Sequence, residues 1–175
     1  MNHRQLTATA LTLVVTACDG TGGSGANAAE GEQHPLIGAP APDFQLKAQS
    51  GAKQVSLEDA DAKVTIVDFW ATWCEPCRDS FPAYQKLLER HDADLAIIGI
   101  SVDDAPDEIA TFAASTGAKF PLAWDAQQTV AGRYNPPTMP TSYIIDQNRV
   151  VRFVHVGFRA GDDKKIEKEV VSLLK

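Results

Sequence analysis

Cysteine is scarce in this chain of 175 residues: Cys18, Cys74 and Cys77 are the full set. A single C-x-x-C without a second pair excludes the usual four-cysteine zinc site, and His34, His91 and His155 lack metal-finger spacing. Covalent haem attachment needs histidine directly after the second cysteine, where Arg78 stands. Long apolar runs are missing too. The uncharged stretch 6–17 falls short of the ~20 residues that a permanent membrane span requires. Basic clusters are also absent: Lys and Arg are scattered, the net charge is −7, and no aromatic residues interleave with them, which excludes nucleic acid as a partner. The acidic balance serves solubility. Neither an internal repeat nor a second domain is evident.

The N-terminus reads as a targeting segment. Arg4 precedes the apolar stretch 6–17, the order of a secretory signal. Val15-Thr16-Ala17-Cys18 resembles the bacterial lipoprotein box, so residues 1–17 are expected to be removed and Cys18 to be lipidated. Residues 18–35 are rich in Gly, Ala, Ser and Asn and poor in apolar side chains, a composition that makes a flexible tether. One domain, residues 36–175, remains, near the modal domain size.

Within it, 43–46 and 54–57 flank Gln49-Ser50-Gly51 as a hairpin. The run Val64-Thr65-Ile66-Val67-Asp68-Phe69-Trp70 predicts a strand buried on both faces. Helical spacing follows over 75–91, then a second buried strand over 95–102 and a helix closing at Gly117. A short strand (120–124), a short helix (127–134), two strands (141–146 and 150–156) and an amphipathic helix (162–174) complete the domain. Strands alternating with helices, with a late hairpin, predict an α/β fold with a mixed sheet flanked by helices.

Chemistry concentrates where the first buried strand meets its helix. Cys74 falls at the helix N-terminus, where free N–H groups and the positive dipole end favour a thiolate. Cys77 lies one turn inside, placed to resolve a mixed disulfide formed by Cys74. Pro76 suits a first helical turn. So short a loop gains little from a structural staple, so a reactive pair is the better reading. Asp68, in the middle of a buried strand, is costly when ionised, and desolvation should raise its pKa. Glu75 opposes a thiolate nearby, and Arg78 favours one. Trp73, beside the nucleophile, is expected at the surface.

The run Val67-Asp68-Phe69-Trp70-Ala71-Thr72-Trp73-Cys74-Glu75-Pro76-Cys77 resembles the active-site signature of the thioredoxin superfamily. Ala41-Pro42-Asp43-Phe44 and Pro140-Thr141-Ser142-Tyr143-Ile144-Ile145-Asp146 narrow the resemblance to the TlpA/ResA-like, membrane-anchored thiol–disulfide oxidoreductases with an AhpC/TSA–redoxin-like domain. It covers the chain from about Ile37 onward. The resemblance implies a thioredoxin-like fold with an N-terminal β-hairpin and a redox-active Cys74–Cys77 pair that needs no cofactor or metal. It implies that Asp68 exchanges a proton with Cys77, and that Pro140 is a cis-proline facing the pair. Trp73, Glu75, Pro76 and Met139 then form the docking surface. The partners implied are proteins carrying disulfides or thiols and a membrane thiol protein that donates electrons. The expected site of action is the periplasmic face of the inner membrane, as a monomer, in cytochrome c maturation. One departure stands out: thioredoxins pair this aspartate with a lysine on the next strand, and 96–102 contains none.

Two alternatives share parts of this pattern. Pro42-Asp43-Phe44 also occurs in peroxiredoxins, but their threonine and proline ahead of the peroxidatic cysteine are replaced by Ala71 and Val67, counted from Cys74. Copper chaperones of related fold use cysteines spaced by three residues plus a distal histidine. The spacing here is two, with His155 as the distal candidate.

Overall fold

The computed structural model describes residues 33–49 and 54–175. The expected signal segment, Cys18, the tether up to residue 32 and Ser50-Gly51 of the expected hairpin turn lie outside the described residues. His34, expected in the tether, is instead buried against Tyr143 and the Asn135 carbonyl and belongs to the domain. At the centre runs β3 (Val64–Trp70), buried at every position, as its β-branched and aromatic composition predicts. It pairs in parallel with β4 (Leu95–Ser101) and antiparallel with β6 (Thr141–Asp146). With β5 (Leu122–Trp124) and β7 (Val151–Val156) outside them, the mixed sheet has the order β5-β4-β3-β6-β7. The short antiparallel pair β1 (Gln45–Lys47) and β2 (Gln54–Ser56) stands beside it. Ala48 bridges to Ala123, which fastens this pair to the β5 edge.

Helix α1 (Glu75–His91) follows β3 and buries Cys77, Ser80, Phe81, Tyr84 and Leu87 on one face. This stripe repeats every three or four residues, and each large apolar side chain buried there contributes about 1.5–3 kcal/mol. Its anchor is Trp70, fully buried, whose ring centroid lies 4.7 Å from that of Phe81 and 4.6 Å from that of Phe112 in α2 (Ile109–Thr116). Gly117 ends α2 in the left-handed conformation at φ 71°, as a helix-terminating glycine does. The opposite sheet face holds Phe69, Tyr143 and Tyr134, the last on α3 (Thr129–Tyr134), with ring centroids 4.9–5.7 Å apart. Helix α4 (Asp162–Leu173) crosses near the end of α1, where Arg90 Nε lies 2.7 Å from Glu167. These elements set β3 as a rigid platform with α1 springing from its C-terminal end.

Candidate active site

Between β3 and α1 the chain turns within four residues, and a buried carboxylate holds the turn. Thr72 donates its backbone N–H to both Asp103 oxygens, at 3.0 and 3.1 Å, and its hydroxyl to Oδ1 at 2.8 Å. Ser101, at the end of β4, donates to Asp103 Oδ2 at 2.7 Å. The segment leading into the cysteines is therefore clamped from the neighbouring strand. Sequence reasoning missed Asp103. Its one available signal was an acid two residues beyond a buried strand.

Cys74 and Cys77 form a disulfide, with an S–S distance of 2.01 Å. Cys74 is the N-cap of α1, in extended conformation, and its Sγ accepts the backbone N–H of Cys77 at 3.2 Å. Pro76 sits in the first turn, where its missing N–H leaves no gap. Cys77 is fully buried and Cys74 only 3% exposed. Cys74 thus stands at the helix N-terminus, as the sequence predicts, with almost none of the residue open to solvent.

The expected docking residues differ in exposure. Trp73 is 70% exposed, a large apolar side chain standing in water beside the disulfide. Glu75 and Pro76 are exposed, Met139 is half-buried, and Pro140 is buried. The Met139–Pro140 peptide is cis. Glu75 and Arg78 face each other at 3.6 Å, and the Arg78 guanidinium lies 5.0 Å from the centroid of the Phe112 ring. Both charges are well exposed, so water screens most of their effect on the sulfurs.

Asp68 lies on the sheet face that carries Trp70, since side chains two apart on a strand share a face. It is fully buried, and desolvation raises its carboxyl from 3.8 to about 7, with a hydrogen bond from Ser142 pulling the other way. Ser142 Oγ donates to Oδ1 at 2.6 Å, and Tyr84 of α1 touches Ser142 Oγ at 2.5 Å. Opposite Asp68 on β4 stands Gly99. A Cβ there would come within 2.5 Å of Leu122 and 3.1 Å of the Trp70 ring nitrogen, so no side chain is accommodated without displacing them. This explains the missing lysine: the aspartate's polar partners come from β6 and α1 instead. Ser142 and Tyr84 carried no recognisable signal in the sequence, because only the pairing of β6 with β3 and the packing of α1 on the sheet bring them to Asp68.

The histidines among the described residues are engaged, His91 with Glu167 of α4 at 3.4 Å. His155, on β7 opposite Ser142, contacts Glu169 of α4, and His34 contacts the carbonyl of Asn135 at 3.2 Å. A concavity of about 700 Å³ opens at the other end of β3, near Lys63, Asp94, Asp146 and Arg149. No helix among the described residues is long and apolar enough to cross a membrane.

The sequence model of the AhpC/TSA family matches residues 37–154. Thioredoxin-like protein YneN of Bacillus subtilis is 38% identical over 123 residues, covering 69% of this chain and 71% of that protein. Thiol-disulfide oxidoreductase ResA of the same organism is 32% identical over 127 residues, covering 71% and 70%. Among solved structures, one assigned as thiol:disulfide interchange protein DsbE from Chlorobium tepidum superposes with a TM-score of 0.75 at 34% identity. It covers 79% of this chain and 98% of that one.

Proposed function

From a chain that belongs to the AhpC/TSA family and is a thiol–disulfide oxidoreductase of thioredoxin-like fold, we propose an extracytoplasmic enzyme that reduces disulfides of exported proteins. The observation that carries this reading is the placement of the two sulfurs. Cys74 Sγ, at the helix cap, receives a helix N–H, while Cys77 is sealed one turn inside. A thiolate at Cys74 is stabilised by that N–H and by the helix dipole, and it attacks the substrate disulfide. One substrate sulfur bonds to Cys74 Sγ and the other leaves as a thiolate. Asp68 then takes the Cys77 proton, Cys77 attacks Cys74 Sγ, and the second substrate thiolate departs. Two electrons have moved to the substrate, and a membrane thiol protein supplies two more, being oxidised itself as it reduces the Cys74–Cys77 disulfide.

Trp73, Pro76 and Met139 give the substrate an apolar landing around the cis-Pro140 turn, with Glu75 at its rim. Residues 1–17 and Cys18 would export and lipidate the protein, and the stretch up to residue 32 would tether the domain at the periplasmic face of the inner membrane. Oxidised cytochrome c precursors, whose haem-binding cysteines must be reduced, are the substrates that the TlpA/ResA-like resemblance implies.

Trapping tests the assignment. Cys77→Ser should hold substrates as a lasting mixed disulfide on Cys74, visible on non-reducing gels, and Cys74→Ser should hold none. Equal capture by both variants would reverse the roles. A reduction potential near or below about −270 mV supports the reductase direction, and one near −120 mV would make the enzyme an oxidant.

A further inference from the structure

The two oxygens of Asp68 are not equivalent. Oδ1 accepts the Ser142 hydroxyl at 2.6 Å, while Oδ2 is buried with no hydrogen-bond partner. A serine hydroxyl has one proton to donate. With that proton on Asp68, Ser142 Oγ can only accept, so the 2.5 Å contact with Tyr84 is a bond donated by the tyrosine. The chain runs from Tyr84 O–H to Ser142 O–H to Asp68 Oδ1. Its members are at most 1% exposed, so water cannot replace a missing link. Tyr84 stays protonated, because burial, followed by the nearby Asp68 charge, lifts its pKa well above the ordinary tyrosine value. It also lies seven residues after Cys77 on the same buried face of α1. One helix thus carries both the resolving sulfur and the far end of the chain.

We propose that Ser142 and Tyr84 are positioning residues for Asp68: by occupying Oδ1 they leave Oδ2 as the oxygen that accepts the Cys77 proton. The inference rests on the reading of Asp68 as that acceptor. In the step itself the Cys77 S–H bond breaks and its proton goes to Oδ2. The sulfur's electron pair forms the bond to Cys74 Sγ, and the substrate thiolate leaves. Ser142 and Tyr84 gain and lose no proton. The titratable and polar groups around Asp68 are few. Tyr84 and, seven residues before it, Cys77 lie on the buried face of α1, and Ser142 comes from β6. β3 itself adds the buried ring nitrogen of Trp70, and Gly99 of β4 brings no side chain. His155 of β7 lies beyond Ser142, held by Glu169 of α4, and Asp162 of α4 acts weakly on Tyr84.

The test is the pH profile of the resolving step, followed as release of a labelled thiol from a preformed Cys74 mixed disulfide, alongside carbon-13 titration of the Asp68 carboxyl. Wild type should show an inflection near 7. Ser142→Ala loses the bond that favours the carboxylate, so the inflection should rise by about one pH unit, with a roughly 5-fold slower step at pH 7 that recovers above pH 9. Tyr84→Phe, which removes a single oxygen and serves should Ser142→Ala misfold, should move it the same way by less. Asp68→Asn should abolish the inflection. If it does so while Ser142→Ala and Tyr84→Phe both titrate as wild type, the positioning role is wrong and the reading of Asp68 stands. If the inflection survives Asp68→Asn, both are wrong.

Discussion

At the scale of single residues, Asp68 sets stability against chemistry. Its carboxyl has an ordinary value of 3.8 and a buried one of about 7. Between those values the native state keeps a proton that the unfolded chain has released, so stability falls as pH rises through this window and levels off above it. Asp68→Asn removes the penalty. Its stability should match wild type near pH 4 and exceed it at pH 8, by up to roughly 4 kcal/mol, in denaturant melts at the two pH values. The same variant should slow disulfide exchange, since an amide cannot take the Cys77 proton. A stability difference equal at both pH values would locate the effect elsewhere than in ionisation. The buried acid was legible in the sequence because a carboxylate interrupts a run of β-branched and aromatic residues. Its partners were not: Ser142 lies 74 positions away in the chain.

At the scale of elements, the β3–α1 junction depends on contacts that no local pattern announces. Asp103→Ala would strip the acceptor from the Thr72 N–H and hydroxyl and from Ser101. Leaving these groups unmet should destabilise the domain by about 2–4 kcal/mol and speed hydrogen exchange at the Thr72 amide. Exchange activity should fall with it, because the segment bearing Trp73 and Cys74 loses its clamp. An unchanged Thr72 exchange rate would show that the clamp is dispensable. On β4, Gly99→Ala drives a methyl against Leu122 and the Trp70 ring. The expected outcome is a loss of about 1–3 kcal/mol by overpacking, measured by thermal or denaturant unfolding. The elements themselves were legible because the central strands are continuous apolar runs, the helices repeat apolar residues every three or four positions, and the breakers are well placed. The predicted helix closing at Gly117 ends there in the structure, and the predicted 141–146 and 150–156 strands appear as Thr141–Asp146 and Val151–Val156.

For the whole molecule, the proposed anchor gives a clean prediction. Cys18→Ala should release the domain into the soluble fraction with exchange activity unchanged, while wild type partitions with membranes. Recovery of unlipidated wild type after export would remove the anchor from the reading. The sequence by itself determined the fold class, the cysteine pair and its order along the helix, and the buried acid. Each of these is written in neighbouring residues: a strand of continuous apolar character, a helix start with Pro76 in its first turn, and a C-x-x-C between them. Only the tertiary structure decided how little of Cys74 meets solvent, that Asp103 clamps the junction, and that Gly99 leaves Ser142 and Tyr84 as the partners of Asp68. Those facts depend on which strands pair and in what register. Register is set by the burial of whole sheet faces, through contacts between residues far apart along the chain.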